Sequence, residues 1–123
     1  MNYNSKIGDG LTYWAPNANM ERDPRWGRNQ EAPGEDPHLT GQYIAHYVRG
    51  MQEGEDPDHV QIVATCKHFI ANSLEQWENN TRYDFDAHVP LDDLRREVFD
   101  AQRCVQGRLD AIQVGLQRVV GLL

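Results

Sequence analysis

Apolar positions follow two rhythms along this chain, and the change from one to the other predicts its elements. Leu11-Thr12-Tyr13-Trp14-Ala15-Pro16 is a short apolar run stopped by proline, which reads as a strand. After Pro37 the period changes. Leu39, Tyr43, Ile44, Tyr47, Val48 and Met51 recur at steps of three and four, against Gln42, His46 and Arg49. This predicts an amphipathic helix, ended by Gly50 and the Glu53-Gly54-Glu55-Asp56-Pro57 cluster. Val60 to Cys66 is a nearly continuous apolar run of strand length, as in a strand buried on both faces, with Lys67 and His68 at its carboxyl end. A long polar loop then runs through Trp77 and Arg82 to Pro90. Asp92 or Asp93 caps a second helix carrying Leu94, Val98, Ala101 and Val105 on one face; Gly107 closes it, and Leu109 to Val114 reads as a third strand.

Strand, loop, helix, strand, loop, helix, strand is the order of an α/β chain, a parallel sheet of about three strands with crossover helices. The 123 residues allow at most one domain, and 39% apolar content is enough for a packed core. A net charge of −7 argues against nucleic acid as a partner, because a phosphate backbone needs a basic face and no Lys/Arg run exists. No stretch approaches the roughly 20 apolar residues of a membrane helix, so no membrane partner is expected. Met1 to Lys6 lacks the apolar core of a secretory leader, so a secreted form would draw its leader from outside this sequence. Cys66 sits in an apolar run and reads as a buried free thiol, with a disulfide to Cys104 as the alternative. Asn79-Asn80-Thr81 is a glycosylation sequon at Asn79, meaningful only in a secreted protein.

Between the first strand and the first helix lies the densest chemistry. Asp23 to Pro37 crowds three prolines, two glycines, Arg25, Trp26, Arg28 and four carboxylates into a stretch that is neither helix nor strand. A loop of this length is functional or disordered. Trp26 between two arginines favours order, because a large aromatic packs.

The order of residues is more specific than the composition. Tyr13-Trp14-Ala15-Pro16-Asn17, then Arg22-Asp23-Pro24-Arg25-Trp26-Gly27-Arg28, Glu31 and Gly34-Glu35-Asp36-Pro37, and later Ala64-Thr65-Cys66-Lys67-His68-Phe69, resembles the family 3 glycoside hydrolases, most of all their β-xylosidase branch. The resemblance covers about Gly10 to Ile112. It divides the chain into an irregular segment 1–9, a partial family domain 10–112 and a divergent tail 113–123. It implies an incomplete (β/α)8 TIM barrel, whose chemistry sits on loops after the carboxyl ends of strands. The Arg28 loop and Lys67-His68 both follow predicted strands, so they are expected to converge at one end of the sheet.

The resemblance further implies that Arg28, Lys67 and His68 bind the sugar at the cleaved end of an oligosaccharide or aryl glycoside, with Glu31 in support and Trp77 and Arg82 as further substrate-side contacts. These residue types suit a pyranose: the two cations offer donors only, while a neutral histidine donates from one ring nitrogen and accepts at the other. The implied reaction removes a terminal β-linked sugar, xylose foremost, with retention of configuration and no cofactor, in an extracellular protein. In the family the nucleophile is an Asp in a Ser-Asp-Trp motif downstream of the matched region, and the acid/base follows it. None of the carboxylates here is assigned either role, so the chain reads as a fragment that is inactive alone. After Asp110-Ala111-Ile112 the sequence leaves the family pattern, as an altered reading or a truncation would.

Plainer roles compete for the same residues. Lys67 and His68 at a strand end also fit a solvated charge and a structurally satisfied histidine. Arg25 is read as a loop ion pair with the carboxylates around it, and Trp14 and Trp26 as packing residues rather than stacking platforms. His38, His46, His59, His68 and His88 show no metal-ligand spacing, so no metal is expected. A carbohydrate-binding module without catalysis is the alternative to a glycosidase fragment.

Overall fold

The computed structural model describes residues 11–56, 59–68, 70–98 and 104. Within them the chain is a mixed α/β arrangement with few strands. β1, Thr12–Tyr13, pairs in parallel with β2, Val63–Ala64, placing Thr12 opposite Val63 and Tyr13 opposite Ala64. The ladder is carried by Val63 N–H donating to the Leu11 carbonyl at 2.7 Å and Thr65 N–H to the Tyr13 carbonyl at 2.8 Å. It resumes past Pro16 with a parallel bridge between Asn17 and Lys67. Both strands are shorter than the apolar runs around them. Val60 is half exposed and Ala64 is the one fully buried residue of the run, so the expected burial on both faces is corrected; among the described residues β2 pairs with β1.

α1, Pro37–Gln52, supplies the crossover and packs on β2. Its start follows from its first residues. The Asp36 side chain accepts from the N–H groups of His38 and Leu39, and Pro37 takes the first helical position, where its missing N–H costs nothing. Arg49 in the last turn complements the helix dipole. Gly50 lies inside the helix rather than ending it, and the chain leaves at Glu53.

The buried face of α1 is rotated from the expected one. Thr40, Gly41, Ile44, Ala45, Val48 and Gln52 are buried, whereas Leu39, Tyr43 and Tyr47 are exposed, the two tyrosine rings meeting at 5.5 Å on the outer flank. Small and branched residues let the helix backbone approach the strand, and bulky rings do not. Ile44 and Val48, fully buried, join Ala18, Ala64 and Cys104 in the core, with Met51 and Cys66 packed against it. Each large aliphatic buried in this way contributes about 1.5–3 kcal/mol.

The stretch read as a polar loop contains a hairpin, β3 (Gln76–Trp77) antiparallel to β4 (Asn80–Thr81). Glu78, at φ 53°, and Asn79 form its turn, so the sequon asparagine stands exposed at the tip. A second helix, α2, covers 91–98, with Cys104 also helical. It begins directly after Pro90, so Asp92 and Asp93 lie within it rather than capping it, in ion pairs with Arg95 and Arg96.

Cys66 and Cys104 form a disulfide with Cα atoms 6.6 Å apart, which overturns the free-thiol reading of Cys66. The bond fixes the residue before Lys67 to a point 38 residues further along the chain. Trp14 is also corrected: it is 72% exposed rather than packed. The segment 1–9, the third strand expected at 109–114 and the tail 113–123 lie outside the described residues.

Candidate functional site

The loop after β1 is held by its own side chains before it presents any. Asp23 accepts from the Arg25 backbone N–H and from two nitrogens of the Arg25 guanidinium at 2.6–2.9 Å, and this bonding holds the Asp23 carboxyl down at about 2. Arg25 thus takes the ion-pair role read for it. Trp26 is 1% exposed and donates from its indole N–H to Glu75 at 3.2 Å, anchoring the loop from the inside. A 3-10 turn at Asn29–Glu31 then brings Glu31 round onto Arg28.

Arg28 is the centre of the resulting cluster. Its Nε and Nη2 donate to the two oxygens of Glu31 at 2.7 and 2.8 Å, a bidentate pair. Its Nη1 donates to Nε2 of His68 at 2.8 Å. The Lys67 ammonium lies 3.0 Å from Glu31, so one carboxylate orients both cations. Its carboxyl is lowered to about 2, chiefly by the hydrogen bond from Arg28, with Lys67 adding to it. Glu75 approaches Arg28 at 3.7 Å from the other side.

His68 is held neutral. Burial pushes its pKa down, and the charges of Arg28 and Lys67 push in the same direction. Because Arg28 can only donate, the Nε2 of His68 is the acceptor, and its proton sits on Nδ1, facing the side-chain oxygen of Asn19 at 3.3 Å. Asn19 is fully buried and also accepts from the His68 N–H at 2.8 Å while donating to the His68 carbonyl at 2.8 Å.

The structure therefore brings Arg28, Glu31, Lys67 and His68 together, as expected of two loops that follow parallel strands. Arg82 reaches the cluster only through Glu75, at 3.2 Å, and otherwise engages Tyr83. Trp77 stands on the hairpin, 47% exposed. Glu75 and Asn19 were not singled out from the sequence. A glutamate in a polar loop and an asparagine after a strand carry no periodic signal; only the contacts across 40 to 50 residues expose them.

Chemically, the cluster offers two fixed cations and two carboxylates around a neutral imidazole. N–H donors left over on Lys67 and Arg28 suit oxygen acceptors, and Glu31 and Glu75 suit hydroxyl donors, so a neutral polyhydroxylated ligand fits better than a strong anion. A groove of about 430 Å³ lies elsewhere, lined by residues including Met20, Arg22, Glu35, His88 and Arg96, and contains none of Arg28, Lys67 and His68. Among the described residues no group of three or more His, Cys, Asp or Glu is placed to hold a metal ion, and no helix is long and apolar enough to cross a membrane.

A parallel strand pair with a crossover helix, and a polar cluster on the segments that follow both strands, mark an α/β domain with its charged side chains gathered beyond the carboxyl ends of its strands. The sequence profile of the glycosyl hydrolase family 3 N terminal domain matches residues 6–117, and the chain belongs to this family. It is 46% identical to probable beta-D-xylosidase 7 of Arabidopsis thaliana over 98% of this chain and 17% of that protein. It is 45% identical to a probable exo-1,4-beta-xylosidase of Aspergillus terreus over 92% of this chain and 15% of that protein. Among solved structures it resembles the GH3 exo-beta-xylosidase XlnD, in complex with a xylobiose aziridine activity-based probe. There the TM-score is 0.54 and the identity 43%, over 58% of this chain and 9% of that one. The chain thus spans less than a fifth of the length of these relatives.

Proposed function

We propose that this chain is part of the sugar-binding half of a retaining exo-β-xylosidase, and that Arg28, Lys67 and His68 hold the terminal sugar of a xylo-oligosaccharide or aryl xyloside. The observation that carries the reading is the Arg28 guanidinium fixed between Glu31 and His68, with Lys67 on the same carboxylate. Such a cluster has its donors aimed before the ligand arrives, so little ordering cost falls on binding. Trp77, on the neighbouring hairpin, and Arg82, just past it, are further substrate-side contacts in this reading.

Catalysis in this reading belongs to two carboxyl groups outside this sequence, a nucleophile and an acid/base, and the described residues position the sugar for them. The β1-α1-β2 unit is one repeat of a (β/α)8 barrel, and the 10–112 region is its partial domain. The disulfide between Cys66 and Cys104 fits an oxidising, extracellular setting, where Asn79 at the hairpin tip is open to glycosylation.

Calorimetric titration of the folded chain with xylose and xylobiose tests the site. Saturable binding, lost in Arg28→Ala, is the expected result. A folded chain that takes up neither sugar would overturn it. Sequencing the native transcript beyond the Leu123 codon tests the catalytic part: continuation into a Ser-Asp-Trp motif is expected, and a stop leaves a binding module only.

A further inference from the structure

Beneath the sugar cluster lies a buried charge that the reading above does not use. Glu97, on α2, is 2% exposed. Its Oε1 accepts from the side-chain nitrogen of Asn19 at 2.6 Å and from the Ala71 N–H at 3.1 Å. Its Oε2 pairs with the guanidinium of Arg22. Nothing in the sugar cluster touches Glu97 directly. Asn19 stands between them.

We infer that Glu97 is a positioning residue that helps hold the Asn19 amide in the one orientation compatible with the Nδ1–H tautomer of His68. The logic follows from donors and acceptors. An ionised carboxylate only accepts, so the amide face of Asn19 turned toward Glu97 must be its NH2. That fixes the amide oxygen toward His68, where it accepts from both the backbone N–H and the ring Nδ1. A proton is thereby required on Nδ1, and Nε2 keeps its lone pair for Arg28. Were Asn19 reversed, its NH2 would face Nδ1, the ring proton would move to Nε2, and Nε2–H would meet the Arg28 donor. The His68 backbone asks for the same orientation, its N–H donating to the Asn19 oxygen and its carbonyl accepting from the Asn19 NH2, and Glu97 adds a further hold on it from outside the site, as second partners do for ligating histidines.

This inference rests on the sugar-site reading for its purpose but not for its test, which reads the ring directly. In the full chain with ¹⁵N-labelled histidine at pH 8, His68 is expected to show the Nδ1–H tautomer, with Nε2 unprotonated. The Nε2–H tautomer in the unmodified protein would overturn the inference, whether or not any variant folds. Two double variants then isolate the cause. Arg22→Met with Glu97→Gln removes the charge pair but leaves an amide oxygen for Asn19. Arg22→Met with Glu97→Met removes the acceptor and leaves no unpaired charge, a replacement that buried ion pairs often tolerate. The first should keep the Nδ1–H signal undiminished, and the second should show a measurable Nε2–H fraction, below half because Arg28 and the His68 backbone still favour Nδ1–H. Equal signals in both would overturn the role of Glu97. Failure of xylose to bind the unmodified chain, with these tautomer results intact, would count against the sugar site alone.

Discussion

Nη1 of Arg28 lies 2.8 Å from Nε2 of His68, although 40 residues separate them in the chain. The contact joins the loop after β1 to the segment after β2. It exists because those strands are parallel neighbours whose carboxyl ends point the same way. Arg28 is thereby locked on three sides, and the consequences can be measured.

Replacing Arg28 by Lys keeps the charge but removes the planar fork that serves Glu31 and His68 together. Xylose affinity should fall by at least about tenfold, the equivalent of roughly 1.4 kcal/mol, and Arg28→Ala should abolish detectable binding. Far-ultraviolet circular dichroism should be unchanged in both. Titration of an Arg28→Lys protein that binds as tightly as the original would refute the bidentate role.

Acid should weaken the fold in two windows. The pKa of His68 is lowered in the fold, so the unfolded chain takes up its proton first; the contribution of His68 is full above the ordinary value of 6.5 and falls as pH drops below it. The pKa of Glu31 is lowered from 4.5 to about 2, so its contribution is full above 4.5 and is lost between there and about 2. Denaturant midpoints measured across pH should fall in both windows. His68→Asn should flatten the upper one, and Glu31→Gln part of the lower, where Asp23, also lowered to about 2, contributes as well.

Reduction of the disulfide should destabilise the chain without removing any ligand-facing group. Closing a loop between residues 38 apart in sequence restricts the unfolded chain, and this is worth about 2–4 kcal/mol. Cys104→Ser should lower the unfolding free energy by that amount. An unchanged denaturation curve after reduction would show that the crosslink adds nothing to stability.

Trp26 is the internal anchor of the site loop, and Trp26→Ala should cost about 3–5 kcal/mol. Trp26→Phe keeps most of the burial and loses the indole donor to Glu75, so a cost of about 1 kcal/mol is expected. The fluorescence of native Trp26 should be shielded from iodide, in contrast to that of Trp14.

Local chemistry was legible in the order of residues. The Asp36-Pro37 start of α1, the pairing of Arg25 with loop carboxylates, the packing of Trp26 and the presence of strand material around Tyr13 and Ala64 all depend on neighbours a few positions away. So did the family, whose motif residues stand in fixed order from Tyr13 to Phe69. Periodicity failed over part of α1: Leu39, Tyr43 and Tyr47 are apolar enough for the core yet exposed, while the smaller Thr40, Gly41 and Ala45 are buried together with Ile44 and Val48. The apolar run around Cys66 likewise gave no sign of its partner, since a disulfide is decided by where two Cβ atoms meet.

What the sequence determined by itself is the inventory: a strand, an arginine-rich loop, a helix, a strand ending in Lys67-His68, and the kinship these imply. What only the tertiary structure decided is which of those groups touch. Asn19, Glu75 and Glu97 became part of the site's support through contacts spanning about 50 to 80 residues. A hydrogen bond acts over about 3 Å whatever the distance along the chain, so such partners appear only once the strands have paired.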